Sequence, residues 1–207
     1  MNTSSLDVVV IDYKTGNVDS ILKAISMANY SVELSDKKEV ILSAKKIILP
    51  GQGSFDYGME QLIKLDLIDI IKEQALINEI PVLGICLGMQ ILADMGHENQ
   101  KKTKGLGLIS GEVKKLSTNL KLPHVGWNEV SFKKKDKIFF EIKDNKDFYF
   151  VHAYYFDCLN PNQILSTTNY NFNFPSIVGN KNIYGFQFHP EKSLKNGIKI
   201  LNNFLKI

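Results

Sequence analysis

Residues 80–92 read Ile80-Pro81-Val82-Leu83-Gly84-Ile85-Cys86-Leu87-Gly88-Met89-Gln90-Ile91-Leu92. The run from Ile80 to Ile85 is short and apolar, as in a strand buried on both faces, and Leu87 opens a helical stretch. Cys86 stands on the turn between them, with Gly84 two positions before it and Gly88 two after. This is the pattern of a nucleophile elbow carrying a thiol. The turn is too tight for side chains at the glycine positions, and a helix N-terminus favours the thiolate. The pentapeptide alone also fits a small buried hydrophobe at a strand end.

Outward from this elbow, strands and helices alternate. Toward the N-terminus, Leu6 to Ile11 is an apolar run ending at Asp12 and followed by Gly16, and Val18, Ile21, Leu22 and Ile25 recur at helical spacing within residues 17–29. Ser31 to Ser35 and Lys46 to Leu49 read as strands, the second stopped by Pro50, and residues 55–78 read as helical with a break near Asp66. Repeated βα units predict an α/β fold with a central, mostly parallel sheet flanked by helices. From about residue 105 the texture becomes β-rich: Gly107 to Leu116, Asn128 to Phe132, Phe148 to Phe156, Ile164 to Thr168 and Ile183 to Phe188 predict an antiparallel β extension of that sheet. Leu194, Ile198, Leu201 and Leu205 mark a closing helix. No repeat and no Gly-, Ser- or Pro-rich linker interrupts the pattern, so residues 1–207 are expected to form one domain.

The 207 residues are 44% hydrophobic and 23% charged, enough for a sizeable core and outside the range of disordered chains. No run approaches the roughly 18 apolar residues of a membrane span, and the polar start lacks the plan of a signal peptide, so a cytoplasmic protein with no membrane contact is expected. All 25 basic residues are Lys, so anions must be held by ammonium groups or backbone N–H. The net charge is only +3, and Lys133-Lys134-Lys135 with Lys137 reads as solvated surface, so no nucleic-acid partner is expected. Cys86 and Cys158 are too few for a disulfide framework or a zinc site. No base accompanies Cys158 in sequence, and it reads as a packed thiol.

A thiol nucleophile needs a base, and of the four histidines His189 has an orienting group built in. In Gly185-Phe186-Gln187-Phe188-His189-Pro190-Glu191, Phe186 and Phe188 alternate with Gln187 and His189. His189 and Glu191 lie two apart, which in extended chain puts both side chains on one side and lets the carboxylate hold the imidazole tautomer. Pro50-Gly51-Gln52-Gly53, at the carboxyl end of a parallel strand, can aim backbone N–H groups into the crevice of the elbow, joining the N–H of Leu87 in an oxyanion hole. No phosphate-loop pattern is present.

These three motifs, in this order and spacing, resemble the class I, or triad, glutamine amidotransferases, whose fold is flavodoxin-like. Pro123-His124-Val125-Gly126-Trp127-Asn128 and Phe150-Val151-His152-Ala153-Tyr154-Tyr155 resemble one branch, the glutaminase subunits of imidazole glycerol phosphate synthase in histidine biosynthesis. The likeness runs from about Val9 to Leu205. It implies that Cys86 attacks the glutamine side-chain amide, His189 moves protons and Glu191 orients the His, with Gln52, Gly53 and Leu87 as oxyanion donors. Gln90 and Glu98 would hold the amino-acid end of glutamine, and His152, Ala153 and Tyr154 would line the pocket. The released ammonia would pass to a (β/α)8 cyclase subunit in a heterodimer, docked on Asn17, Ser20, Lys23, Trp127, Asn128, Tyr149 and Lys192. No metal or cofactor is implied. Two departures stand out: Lys14-Thr15 precede Gly16-Asn17 where relatives carry a Gly-x-Gly-like start, and Ala153 replaces a common Ser or Thr. A paralogous amidotransferase serving amidination of a surface sugar, a subunit that has lost its chemistry, and a Cys peptidase are the alternative readings.

Overall fold

The computed structural model describes residues 6–16, 18–98 and 101–207. The first half is a βα series: β1 (Val8–Ile11), α1 (Asp19–Met27), β2 (Val32–Ser35), α2 (Lys38–Ser43), β3 (Ile47–Leu49), α3 (Phe55–Lys64), α4 (Ile68–Leu76), β4 (Val82–Ile85) and α5 (Leu87–Ile91). The second half is mostly strand: β5 (Met95–Glu98), β6 (Lys101–Lys104), β7 (Gly111–Lys115), β8 (His124–Phe132), β9 (Lys146–His152), β10 (Tyr154–Cys158), β11 (Ile164–Asn169), β12 (Asn173–Asn180) and β13 (Ile183–Phe186), closed by α6 (Leu194–Leu205). Among the described residues, these strands build a nine-stranded sheet in the order β2-β1-β3-β4-β13-β12-β11-β8-β9 and a four-stranded sheet in the order β10-β7-β5-β6. Strands β2, β1, β3, β4 and β13 pair in parallel, and β12, β11, β8 and β9 continue the sheet antiparallel. The predicted parallel core with an antiparallel extension is therefore present.

Continuous apolar strands are buried on both faces, and their alternate residues enter two cores. Val9, Ile11, Ile47 and Leu49 pack on one side under α2 to α5. Val8, Val10, Ile48, Leu83 and Ile85 pack on the other, with Ile21 and Ile25 of α1 and Ile200, Leu201 and Phe204 of α6. That second core runs on into the aromatic group Phe148, Phe150, Phe174, Phe186 and Phe188. Asp66, with φ 54, makes the break between α3 and α4.

Three expectations need correction. Gly107–Leu116 and the second half of Phe148–Phe156 do not extend the main sheet; they supply β7 and β10 of the smaller one. The residue that divides the predicted Phe148–Phe156 strand is Ala153, whose carbonyl leaves the ladder to accept the Leu116 N–H at 2.9 Å. The last helix buries only the second half of its expected row: Leu201 and Leu205 are inside, but Leu194 is 71% and Ile198 38% exposed. Gly197 decides this: a Cβ there would lie 2.0 Å from the Pro190 carbonyl oxygen, so the helix rests on that turn through its bare glycine and buries Ile200, Leu201 and Phe204. Helix α2 and strands β5 and β6 are short or polar, and β12 is a buried run without alternation, so none carries a clear periodic signal. No helix among the described residues is long and apolar enough to cross a membrane.

At the elbow, α5 crosses directly over β3. A Cβ on Gly88 would lie 1.8 Å from the Leu49 carbonyl oxygen, and one on Gly84 2.4 Å from the Gly88 oxygen. Neither neighbour is a flexible side-chain end that could yield. Gly88→Ala is therefore expected to destabilise the protein by about 3 kcal/mol or more, read as a lowered urea midpoint. An unchanged midpoint would show that the helix can lift off the strand.

Candidate active site

Three parallel strands end at one place. Strand β3 delivers Pro50–Gly53, β4 delivers Cys86, and the chain leaving β13 delivers Gln187 and His189. Crevices beyond the carboxyl ends of strands are where open α/β sheets bind ligands. Cys86 has φ 53 and ψ −106, a conformation that a side-chain-bearing residue rarely adopts. Its N–H donates to the Phe186 carbonyl at 2.7 Å, its carbonyl accepts the Gln90 N–H at 3.1 Å, and the residue is 6% exposed.

His189 Nδ1 and Glu191 Oε1 lie 2.9 Å apart, both side chains nearly buried. Burial by itself pushes the imidazole down, but the Cys86 sulfur and the Glu191 carboxylate beside it more than offset that and raise it to about 10. Its Nε2 is buried and has no hydrogen-bond partner among the described residues, while the Cys86 thiol donates to the Val151 carbonyl at 3.6 Å. Thiol and imidazole are thus neighbours, with the proton of the thiol turned aside.

The donors on the other side of the sulfur are not free. The Leu87 N–H donates to the Gly51 carbonyl at 3.4 Å. In a planar trans peptide the Gln52 N–H then points the opposite way, toward Gly16, where a Cβ would sit 3.1 Å from the Gln52 nitrogen. Of the expected oxyanion set, Gln52 and Gly53 reach the crevice wall, but their loop presents an acceptor to Leu87. A Cβ on Gly51 would meet the Tyr13 hydroxyl at 2.7 Å and Leu87 Cβ at 3.1 Å, so this close approach needs glycine. Tyr13 also donates its hydroxyl proton to the Pro50 carbonyl, which ties the loop after β1 to the loop after β3.

A cavity of about 150 Å³ opens beside Cys86, walled by Gln52, Gly53, Leu87, Gln90, Glu98, Val151, His152, Ala153 and Tyr154. All the residues expected to bind substrate border it. Gln90 Nε2 donates to the Tyr154 carbonyl at 2.9 Å and to Gln187 Oε1 at 3.1 Å. Glu98 accepts the Phe55 N–H at 2.7 Å, and its partial burial pushes its carboxyl up. Gln187 and the Val151 carbonyl were not singled out from sequence. Gln187 is fully buried, its Nε2 is 3.8 Å from Cys86 Sγ, and it shares its side of the chain with His189, a signal that strand alternation already carried.

The residues expected at a docking surface also gather. Trp127 of β8 and Tyr149 of β9 are register partners with ring centroids 5.8 Å apart, and the Tyr149 carbonyl accepts the His189 N–H at 2.9 Å. Lys192 is exposed just beyond Glu191, and α1, bearing the exposed Ser20 and Lys23, packs against the turn that holds both. Asn128 is half-buried on β8, and Asn17 lies outside the described residues. Cys158 is half-buried and donates to the Asn160 carbonyl at 3.3 Å, and burial pushes its thiol up, as suits a packed side chain. Lys133, Lys134, Lys135 and Lys137 are exposed.

The family model for class I glutamine amidotransferases matches residues 9–207. The chain is 45% identical over 201 residues to imidazole glycerol phosphate synthase subunit HisH 2 of Methanococcus maripaludis, covering 96% of this chain and 98% of that protein. It is 41% identical over 209 residues to subunit HisH of Pelagibacter ubique, covering 98% and 100%. In fold it is similar to PurLQS from Thermotoga maritima, with a TM-score of 0.76 at 19% identity over 98% of each chain. A crystal structure of a glutamine amidotransferase is similar with a TM-score of 0.75 at 18% identity, over 96% of this chain and 97% of that one.

Burial holds two other imidazoles low, His124 at about 4 and His152 at about 3, against an ordinary value of 6.5. The folded chain keeps both neutral through a range in which the unfolded chain binds protons, so the contribution of these two groups to stability is full above about pH 6.5 and is lost on acidification toward pH 4. Replacing His124 by Asn is expected to flatten the slope of unfolding free energy against pH near pH 5 by about one proton. A slope identical to wild type would mean that His124 is protonated in the fold.

Proposed function

The chain belongs to the class I glutamine amidotransferase family, and on that premise we propose that it is the glutaminase subunit of an imidazole glycerol phosphate synthase, acting through Cys86, His189 and Glu191. The observation that carries this reading is the strained Cys86 turned out of the strand end beside an imidazole whose far nitrogen is held by Glu191. In the reaction the thiol proton passes to His189 Nε2, as the raised imidazole favours, and the Cys86 thiolate attacks the side-chain carbonyl carbon of glutamine. His189 returns that proton to the leaving nitrogen as the C–N bond breaks, ammonia departs, and a thioester remains. Water then attacks the thioester with His189 as base, and glutamate and the thiol are released. General-base help of this kind is worth roughly 10²–10⁴ in rate. The cavity between Glu98 and the 152–154 wall suits the amino-acid end of glutamine, its carboxylate held by backbone N–H in a chain without Arg.

The partner reading rests on the cluster of Ser20, Lys23, Trp127, Tyr149 and Lys192; Asn128 is next to Trp127 in the strand, but its amide is held inward by His124 and Asn169. We assign this face to a (β/α)8 cyclase subunit that receives the ammonia. The loop geometry supports control by docking: the Gly51 carbonyl occupies the N–H of Leu87, and rotation of the Gly51–Gln52 peptide would replace that acceptor with a donor. Glycine makes such a rotation cheap, and the 13–16 loop rests directly on this peptide. A bound partner can therefore bias a two-state loop.

Cys86→Ala is expected to abolish glutamine hydrolysis yet leave the partner's synthesis running on ammonium salts, whereas Cys158→Ala leaves both intact. Normal glutamine turnover by Cys86→Ala would refute the nucleophile. Glutamine hydrolysis by the wild-type chain is expected to rise by two orders of magnitude or more when the barrel subunit and its nucleotide ligand are added, in line with gaining one oxyanion donor. Full activity in the isolated chain would instead mark a free-standing hydrolase.

A further inference from the structure

We propose that His124 is a positioning residue for glutamine binding: through a one-way hydrogen-bond chain it fixes the tautomer of His152 and holds the pocket wall His152–Tyr154 in place. The proposal rests on the glutaminase reading of the cavity beside Cys86.

The direction of every link is set by the backbone groups at the two ends. At the inner end, His152 Nδ1 lies 2.8 Å from the Tyr154 carbonyl oxygen, which can only accept, so Nδ1 carries the proton. The neutral ring then has an acceptor at Nε2. His124 Nδ1 lies 3.0 Å from that atom and must donate to it, which leaves His124 Nε2 as an acceptor. Asn128 Nδ2 fills that role at 3.2 Å. At the outer end the amide cannot be flipped, because Asn128 Oδ1 accepts the Glu129 N–H at 2.8 Å and Nδ2 donates to the Asn169 carbonyl at 2.9 Å. The chain runs Asn128 to His124 to His152 to the Tyr154 carbonyl, and that carbonyl also accepts from Gln90 on the cavity wall.

The surroundings suit a neutral ring in a fixed plane. His124 is buried and stacked between Tyr170, with centroids 4.0 Å apart, and Phe150, at 5.1 Å. Burial holds both imidazoles below their ordinary values, which preserves the neutral forms that the chain requires. A histidine serving only to fill the slot would need no such ordered sequence of donors, and Phe would replace it. Removing its donor leaves His152 Nε2 buried and unpaired, free to tip its ring and release the Tyr154 carbonyl.

The test compares two variants. His124→Phe keeps a flat ring in the slot and loses the donor; His124→Asn places an amide N–H near the position of Nδ1. Ring nitrogen-15 NMR of the folded chain should show His152 as the Nδ1–H tautomer in wild type and His124→Asn, and mixed tautomers in His124→Phe. In the complex with the barrel subunit, His124→Phe should raise the KM for glutamine about tenfold with kcat within threefold, and His124→Asn should restore most of the loss. A wild-type His152 spectrum and wild-type KM in His124→Phe would overturn the proposal, as would a fall in kcat at unchanged KM. If His124→Phe fails to fold, a mixed His152 tautomer or an unrestored KM in His124→Asn overturns it. Wild type in the same series separates the two levels: a wild-type complex that does not turn over glutamine defeats the glutaminase reading, while the His152 spectra of the folded chain still judge His124.

Discussion

A backbone constraint at one residue organises this molecule. Cys86 sits at φ 53 and ψ −106, and holding a non-glycine residue there costs about 1–3 kcal/mol. The surroundings must over-determine it. They do so with the Phe186 carbonyl on its N–H, the first hydrogen bond of α5 on its carbonyl, and two glycines that let the helix close onto β3. Because β3 and β13 both pair with β4, the loops leaving them arrive on either side of the thiol. One supplies the Gly51–Gly53 peptides and the other supplies His189. The antiparallel half then covers the open side: β9 ends at His152, and the Val151 carbonyl accepts the hydrogen bond of the thiol.

The same four-residue alphabet of acid, amide, thiol and imidazole is tuned here by surroundings alone. His189 is buried and yet raised, because a carboxylate and a sulfur face it. His124 and His152 are buried and lowered, with no carboxylate among the partners they bond. Two environments push the same side chain in opposite directions, which is how a fold gives identical side chains different charge states.

Much of this was legible in the sequence, for reasons that differ by residue. The elbow could be read because glycines at fixed offsets report a steric demand, and Gly84 and Gly88 meet backbone atoms at distances no Cβ allows. His189 and Glu191 could be read because a two-residue period in extended chain fixes which side chains meet. The small sheet could not: β5 and β6 are polar and short, and β6 is tied to distant α3 by the Thr103 hydroxyl donating to Asp56. The first half of the α6 row, Leu194 and Ile198, was misread because apolar spacing ignored Gly197, where the absence of a side chain sets the contact. Nor does any local pattern announce the meeting of His124 with His152, 28 positions apart and joined only by the register of β8 and β9. Gln187 was available to the alternation argument and lay hidden only because its neighbours drew the chemistry.

The Gly51 carbonyl has a consequence for small molecules. A pocket whose reaction calls for a donor near the thiol shows, in this geometry, an acceptor there. Its preference for ligands is inverted relative to the one catalysis needs. A carbonyl or phosphonate oxygen aimed at that point meets the oxygen of Gly51 and is repelled, whereas an amine or amidine at the same point is welcomed by it. Compounds of the second kind favour the loop as it stands here over one with the Gly51–Gln52 peptide rotated, by the sign of a single hydrogen bond.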